Sequence, residues 1–431
     1  MSFPPAGPPP PAVSRPEPPT WYRWMVLLFI SLAMFGNYYL YDTIAPVADL
    51  LKEQLNFTDE EIGLLYSSYS WAAILVLLPG GIFIDRFGTR KATMLFGVIC
   101  AISGFVTIAS SDIRVMLGGR FLLGAGAELL IVAITAAIAK WFRGKELAFA
   151  MGINLLVARF GSTVADWSPT WARAAYDNWH TPLVIGAFLG LTCVLGAAIY
   201  WVLEKRAEDR YALGEAGATD KLVVSDIFKF SRSFWYITAL CIAFYSVVFP
   251  FRSFAIKFFM EAHGAARDFA GQMNSVLPIA AMIATPLLGL LVDRVGRRAT
   301  LMAVGTLIMV PVFPLLAYTE VTLYLPVAML GIAFSLIPAI MWPSVAYIVA
   351  QNRLGSAYAL MFLLQQAGVA AMVWLAGRAN DYAGASAANP AGYLPMMWML
   401  TLVGAVALVF AFLLWRNETG PHGHGLETIH A

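Results

Sequence analysis

Apolar runs of roughly twenty residues recur along the whole chain and are separated by short polar segments. We read twelve spanning helices, at 23–46, 62–84, 91–110, 114–140, 147–168, 181–203, 232–258, 271–292, 299–318, 321–349, 354–377 and 393–415. Each is close to the ~20 residues a helix needs to cross the hydrocarbon of a bilayer. The strict alternation of a membrane barrel is absent. One long charged loop, "EKRAEDRYALGEAGATDKLVVSDIFKFSR", divides the runs six and six. The expected organisation is a tail at 1–22, a six-helix bundle at 23–203, a linker at 204–231, a second six-helix bundle at 232–415 and a tail at 416–431.

Composition agrees with a lipid environment. Of the 431 residues, 60% are hydrophobic and only 13% charged, where a soluble protein would be about a quarter charged. The mean hydropathy is +0.71. The net charge of +2 says nothing about partners; the lipid bilayer is expected as one, and a nucleic acid is not. Cys100, Cys193 and Cys241 lie in apolar runs without disulfide or metal spacing and read as packing residues. The proline-rich start, "MSFPPAGPPPPAVSRPEPPT", reads as an extended tail without an apolar signal segment.

Charge sign by loop sets an orientation. Arg15, Arg23, Arg86, Arg90, Lys91, Lys140, Arg143, Lys145, Lys205, Arg206, Arg210, Arg294, Arg297 and Arg298 fall before the first span or after even ones. The other loops carry few basic residues, such as Lys52, Arg114 and Lys257. The positive-inside bias therefore predicts that both termini are cytoplasmic.

The chain repeats itself. "GIFIDRFGTRK" begins at Gly81 and "GLLVDRVGRRA" at Gly289, each after the second span of its half. Parallel repeats of this kind are one layout of membrane transporters. Gly81 and Gly289 are expected to let a neighbouring helix approach closely. Asp85 and Asp293, beside Arg86, Arg90 and Arg294, are expected to latch the cytoplasmic side by pairing or helix capping.

Two charges fall in mid-membrane, Glu128 in the fourth run and Arg159 in the fifth. A central charge costs about 2.5–3.5 kcal/mol on insertion scales, so it faces a partner or a wet cavity. One alternative is a buried ion pair between the two helices. The other is a site for the opposite ends of a zwitterion, near the midplane where transporter sites lie. Tyr38, Tyr41, Asp42, Tyr66, Tyr69, Tyr245, Phe249, Asn274, Trp342, Gln365 and Gln366 are candidates for the rest of such a site; packing or an interfacial belt is the alternative for each. None of the five histidines is predicted to lie within a span, which argues against a histidine proton relay. "HGHG" near the C-terminus reads as a solvated tail. Neither a metal-ligand cluster nor a nucleophile–base spacing appears in the spans, so no enzyme activity, cofactor or metal is expected. "NFT" at Asn56 is a glycosylation sequon on the non-cytoplasmic side.

The paired G-x-x-x-D-R-x-G segments resemble the signature of the major facilitator superfamily between its helices 2 and 3, with its weaker copy between 8 and 9. "GRFLLGAGAE", with Arg120, resembles the superfamily's helix 4 motif. The glycine-proline antiporter motif is absent from "MGINLLVARFGST", and the E-x-x-E-R signature of proton-coupled oligopeptide transporters is absent from helix 1. "KWFRGKELAFAMGINLLVARFGSTV", "FYSVVFPF", "KFFMEAHG", "MWPSVAYIV", "LGSAYALMFLLQQAG", "YYLYDTIAP" and "LLYSSYSW" are similar to the lysosomal dipeptide uniporter branch.

The resemblance implies an all-α membrane fold, with twelve transmembrane helices in two six-helix bundles about a pseudo-two-fold axis. It implies uniport of a small zwitterionic dipeptide by alternating access; proton symport, or transport of other small organic anions, is the rival. Glu128 and Arg159 match a glutamate and an arginine implied to hold the α-amino and carboxylate ends. Arg120, about two turns from Glu128, is expected to be a structural hydrogen-bond donor. Arg252 departs from the family, which looks apolar there; it either adds charge at the outer mouth or snorkels to headgroups. Neither tail carries the acidic dileucine signal of lysosomal members. With the short loops, this predicts a bacterial cytoplasmic membrane and no accessory glycoprotein subunit; a monomer is expected.

Overall fold

In the computed structural model the described residues are 16–142, 146–213, 224–319, 322–421 and 423–428, with the side chains of Val224, Ser225, Phe228 and Asp293 outside the described set. The spanning helices are α1 (Thr20–Asp42), α2 (59–87), α3 (89–108), α4 (Ile113–Phe142), α5 (Leu147–Asp166) and α6 (His180–Arg210) in the first half. The second half holds α7 (Arg232–His263), α8 (Arg267–Val295), α9 (Arg298–Tyr318), α10 (Tyr324–Ile348), α11 (Leu354–Tyr382) and α12 (Leu394–Glu418). His180 and His263 are thus terminal helix residues, where the sequence had placed both outside the spans.

Local chemistry sets the helix ends. Thr58 caps α2 in a reciprocal box: its Oγ1 accepts from Glu61 N at 3.1 Å, and Glu61 Oε2 accepts from Thr58 N at 2.9 Å. Ser231 caps α7, accepting from Phe234 N at 3.3 Å. The expected break between α2 and α3 is a single residue, Gly88, at φ 80° and ψ 163°. Only glycine occupies that region without steric cost, so the chain turns back there within an otherwise helical path.

Helix packing relies on small residues, as expected where lipid removes the hydrophobic drive between helices. A Cβ at Gly124 would lie 2.1 Å from the Tyr69 carbonyl oxygen, so "GRFLLGAGAE" lets α4 press against α2. Arg120 is buried and donates to the carbonyls of Leu40 at 2.9 Å, Tyr41 at 3.0 Å and Leu65 at 3.4 Å. It ties α4 to the ends of α1 and α2.

The bundles are joined on the face opposite the termini, here called the distal face. There α2 meets α11 and α5 meets α8. Asp381 accepts from the backbone N–H groups of Asp59 at 2.9 Å and Glu60 at 2.6 Å, and Trp374 Nε1 donates to Glu60 at 2.7 Å. Trp167 Nε1 donates to Ser275 at 2.7 Å. Three cations complete the join. Arg252 Nη1 lies 3.3 Å from Asp42 and its Nη2 3.0 Å from Asp166. Lys257 reaches Asp59 at 2.8 Å and Glu261 at 3.3 Å. Arg267 grips Asp49, with Nη1 at 2.6 Å from Oδ1. Arg252 therefore does not snorkel to headgroups: it is buried and doubly paired across the bundles.

On the terminal face Arg90 and Gly289 differ from the expectation. Arg90 pairs with Glu208 of α6 and stacks over Trp201 at 5.2 Å, inside its own bundle. Asp85, Arg86 and Arg294 are exposed. A Cβ at Gly289 would meet nothing within 4 Å, so the expected close helix approach is not made there. The terminal half of α8 opens outward: Ile283, Leu287 and Leu290 are each more than 60% exposed, whereas Met273, Asn274 and Leu277 in its distal half are buried.

The C-terminal tail also differs from a solvated one. Leu426 is fully buried and its carbonyl accepts from Arg298 N at 2.8 Å. Glu427 accepts from Thr300 N at 2.8 Å and Thr300 Oγ1 at 2.7 Å, capping α9. The apolar leucine and the capping carboxylate explain why residues 423–428 fold back.

Replacing Arg252 by methionine leaves Asp42 and Asp166 buried without a cation, a loss of about 3–5 kcal/mol for a broken buried pair. The expected outcome is a less stable distal closure. A cysteine at Ser162 should then react with a membrane-impermeant maleimide supplied from the distal side of sealed vesicles, and should be shielded in the Arg252 parent. Gly124→Val should lower the melting temperature in detergent by several degrees, because the added Cβ meets backbone.

Candidate functional site

A cavity of about 370 Å³ lies between the bundles at mid-membrane, near the lower end of the range for small-molecule sites. Tyr38, Tyr41, Asp42, Tyr69, Glu128, Arg159, Tyr245, Phe249, Trp342 and Gln365 all line it, as does Gln366. The structure thus brings together every candidate binding residue of the sequence reading except Asn274 and Tyr66. Asn274 is drawn away into the bundle contact, where its Nδ2 donates to Asp166 at 2.8 Å. Tyr66 is buried beside Arg120, whose guanidinium lies 5.2 Å from its ring centre.

Glu128 projects from α4. Its Oε1 accepts from Tyr69 Oη of α2 at 2.8 Å and from Gln366 Nε2 of α11 at 3.0 Å. Both donors are neutral, so they orient the carboxylate without cancelling a charge. Arg159 projects from α5. Its guanidinium lies 4.9 Å from the ring centre of Phe334 on α10 and 5.6 Å from that of Tyr38 on α1, and its buried Nε has no hydrogen-bond partner. Among the described residues no ion pair joins Glu128 to Arg159. The two opposite charges therefore face one cavity, each held by neutral or aromatic neighbours.

The wall from the second bundle is aromatic and fixed. Trp342 Nε1 donates to Tyr245 Oη at 3.1 Å, and Tyr358 Oη donates to the Trp342 carbonyl at 3.2 Å. Tyr245 stacks on Phe249 with centroids 5.7 Å apart, and Phe249 meets Tyr41 edge-on at 6.1 Å. Arg252 and Asp42 close the distal end of the cavity. Asn37, Ile131, Ser162, Phe362 and Val369 also line it, and sequence reasoning did not single them out. Phe362 and Val369 sit at spacings of four and three residues from Gln366 on α11, so helical periodicity around that glutamine was the available signal. Asp166 was likewise missed; a lone acid seven residues after Arg159 marks the same face of α5.

Comparisons with known proteins follow the same outline. Residues 30–254 and 251–428 each match the family model described as the Major Facilitator Superfamily. The chain is 32% identical over 377 residues to the lysosomal dipeptide transporter MFSD1 of Danio rerio, covering 84% of this chain and 82% of the relative. It is 33% identical over 378 residues to the lysosomal dipeptide transporter MFSD1 of Homo sapiens, covering 84% and 81%. Among solved structures, a bacterial homologue of the human lysosomal transporter Spinster, inward-facing and unoccupied, superposes with a TM-score of 0.72 at 18% identity over 93% of this chain and 98% of that one. A point mutant of the nucleoside transporter NupG gives a TM-score of 0.71 at 15% identity, covering 90% and 98%. A duplicated six-helix unit enclosing a midplane cavity, matched along both halves, establishes that the chain belongs to the major facilitator superfamily of secondary transporters.

Proposed function

We propose that the chain carries dipeptides across a membrane by alternating access, as a uniporter. The observation that carries this reading is the pair of opposite charges in one cavity, Glu128 and Arg159, neither answered by the other. A zwitterion supplies both missing partners at once. Arg159 takes the substrate carboxylate in a bidentate contact, and Glu128 takes the α-amino group. The aromatic wall of Tyr245, Phe249 and Trp342 covers the apolar part of the ligand. The relatives named as dipeptide transporters support the substrate class.

Rocking of the bundles supplies the access change. The closed distal face is one end of the cycle. In the other, the Asp85 and Asp293 motif loops latch the terminal face, which the loop charges make cytoplasmic.

A dipeptide should raise the melting temperature of the purified transporter. Arg159→Lys should weaken binding about ten- to hundredfold, the worth of a charge-assisted contact. An N-acetylated dipeptide should bind the parent by a similar factor less well, and Glu128→Gln should abolish that discrimination. Equal binding of acetylated and free dipeptides by the parent sinks the assignment of Glu128. Uptake into pH-clamped proteoliposomes should be indifferent to an imposed proton gradient; acceleration by an inward gradient replaces uniport with symport.

A further inference from the structure

A second cavity, of about 300 Å³, lies at the foot of the C-terminal bundle, between the start of α7 and the end of α12. It is far from the midplane site and shares no residue with it. Arg232, Tyr236, Leu413, Arg416 and Asn417 line it, closed below by the turn at Gly420 and Pro421. Arg232 and Arg416 are both exposed. Among the described residues neither has a carboxylate within salt-bridge distance. The nearest acid along the chain, Glu418, is turned inward, accepting from Ser233 Oγ at 2.5 Å and from His424 N at 2.7 Å. Arg232 is also the first residue of a 32-residue helix, whose N-terminus adds partial positive charge. Two guanidinium groups and a helix start thus converge on one opening.

The surroundings fix what kind of anion fits. On α12, Leu402, Val406 and Val409 are 63%, 47% and 56% exposed. Seven-residue spacing carries this face to Leu413 and Arg416: 402, 409 and 416 fall on one line, and 406 and 413 on the next. A lipid-facing apolar stripe therefore runs directly into the basic cavity. Trp235, 38% exposed, Tyr236 and Trp415 lie within one turn of the arginines. Such aromatic residues mark the headgroup level of a bilayer.

We propose that this cavity binds the phosphate headgroup of an anionic phospholipid from the leaflet on the terminal face, with an acyl chain along the α12 stripe. Arg232 and Arg416 hold the phosphate oxygens, each able to offer two parallel N–H donors. Tyr236 and Asn417 border the headgroup as neutral polar neighbours. Basic pockets between helices near the membrane surface are suited to such headgroups. A soluble phosphate ester shares the phosphate chemistry but has no use for the stripe.

The test uses the full chain in detergent, with phosphatidylglycerol and phosphatidylcholine of identical acyl chains, and native mass spectrometry to read binding. The parent should prefer phosphatidylglycerol. The double variant R232Q/R416Q should lose that preference by about 30-fold, the worth of two basic residues at a membrane surface. R206Q, which removes an exposed charge from α6 on the same face, should keep it. Both variants should melt within a degree or two of the parent, since none of the three side chains is buried. An unchanged preference in R232Q/R416Q, or an equal loss in R206Q, overturns the site. Inorganic phosphate and glycerol 3-phosphate should leave bound phosphatidylglycerol in place; displacement by either at matched concentration overturns the lipid and assigns the cavity to a soluble phosphate.

Discussion

The guanidinium of Arg252 between the carboxylates of Asp42 and Asp166 is the contact on which the observed arrangement turns. It brings a cation of the second bundle to two anions of the first, all of them nearly out of reach of water. Ions so placed have given up hydration that their mutual contact must offset. The distal face is therefore a closed state in a physical sense: separating the bundles requires water to replace three partners together. The same contact fixes how α1 and α5 meet α7, and it forms the distal end of the midplane cavity. Asn274 and Trp167 add neutral hydrogen bonds around it, so the charges are surrounded by oriented dipoles rather than hydrocarbon alone.

The cavity depends on this closure in a second way. Glu128 and Arg159 belong to the first bundle, yet each is contacted from the second, by Gln366 and by Phe334. Any rocking of the bundles alters the neighbours of both charges. A ligand that supplies its own charges substitutes for contacts that rocking removes. That differential interaction is what allows a solute to bias one conformation over another.

Much of the fold was legible because lipid imposes a simple rule, that every spanning segment must satisfy its own backbone. Twelve apolar runs and a duplicated D-R-x-G segment gave the architecture, and isolated charges within the runs pointed to the cavity. What escaped was pairing across bundles. Nothing in the run that holds Arg252 points to an acid, and its partners Asp42 and Asp166 are far away in sequence, at the ends of two other helices. Asp42 was singled out only as a candidate ligand contact, and Asp166, near a helix end where charges are ordinarily attributed to headgroups, was hidden. Asn274 was drawn toward the site because its helix was expected to face the cavity, but its face of α8 turns to Asp166. Gly289 repeats the pattern of Gly81 in letters, while the helix that would approach it stands off on the opened side. The tail escaped because one leucine and one glutamate within a polar stretch give no periodic signal.

The carboxylate of Asp381 has one more consequence. It sits on the first free N–H groups of α2, although it is carried by α11 of the other bundle. The resident box of Thr58 and Glu61 satisfies only its own two N–H groups. Helix α2 therefore has half of its N-terminal cap on loan. When the bundles part on the distal side, the helix keeps its fold but surrenders that cap to solvent, and the free energy of opening depends on how readily water takes the place of a carboxylate. The stability of a local helix end is in this way written into the equilibrium between the two faces of the whole molecule.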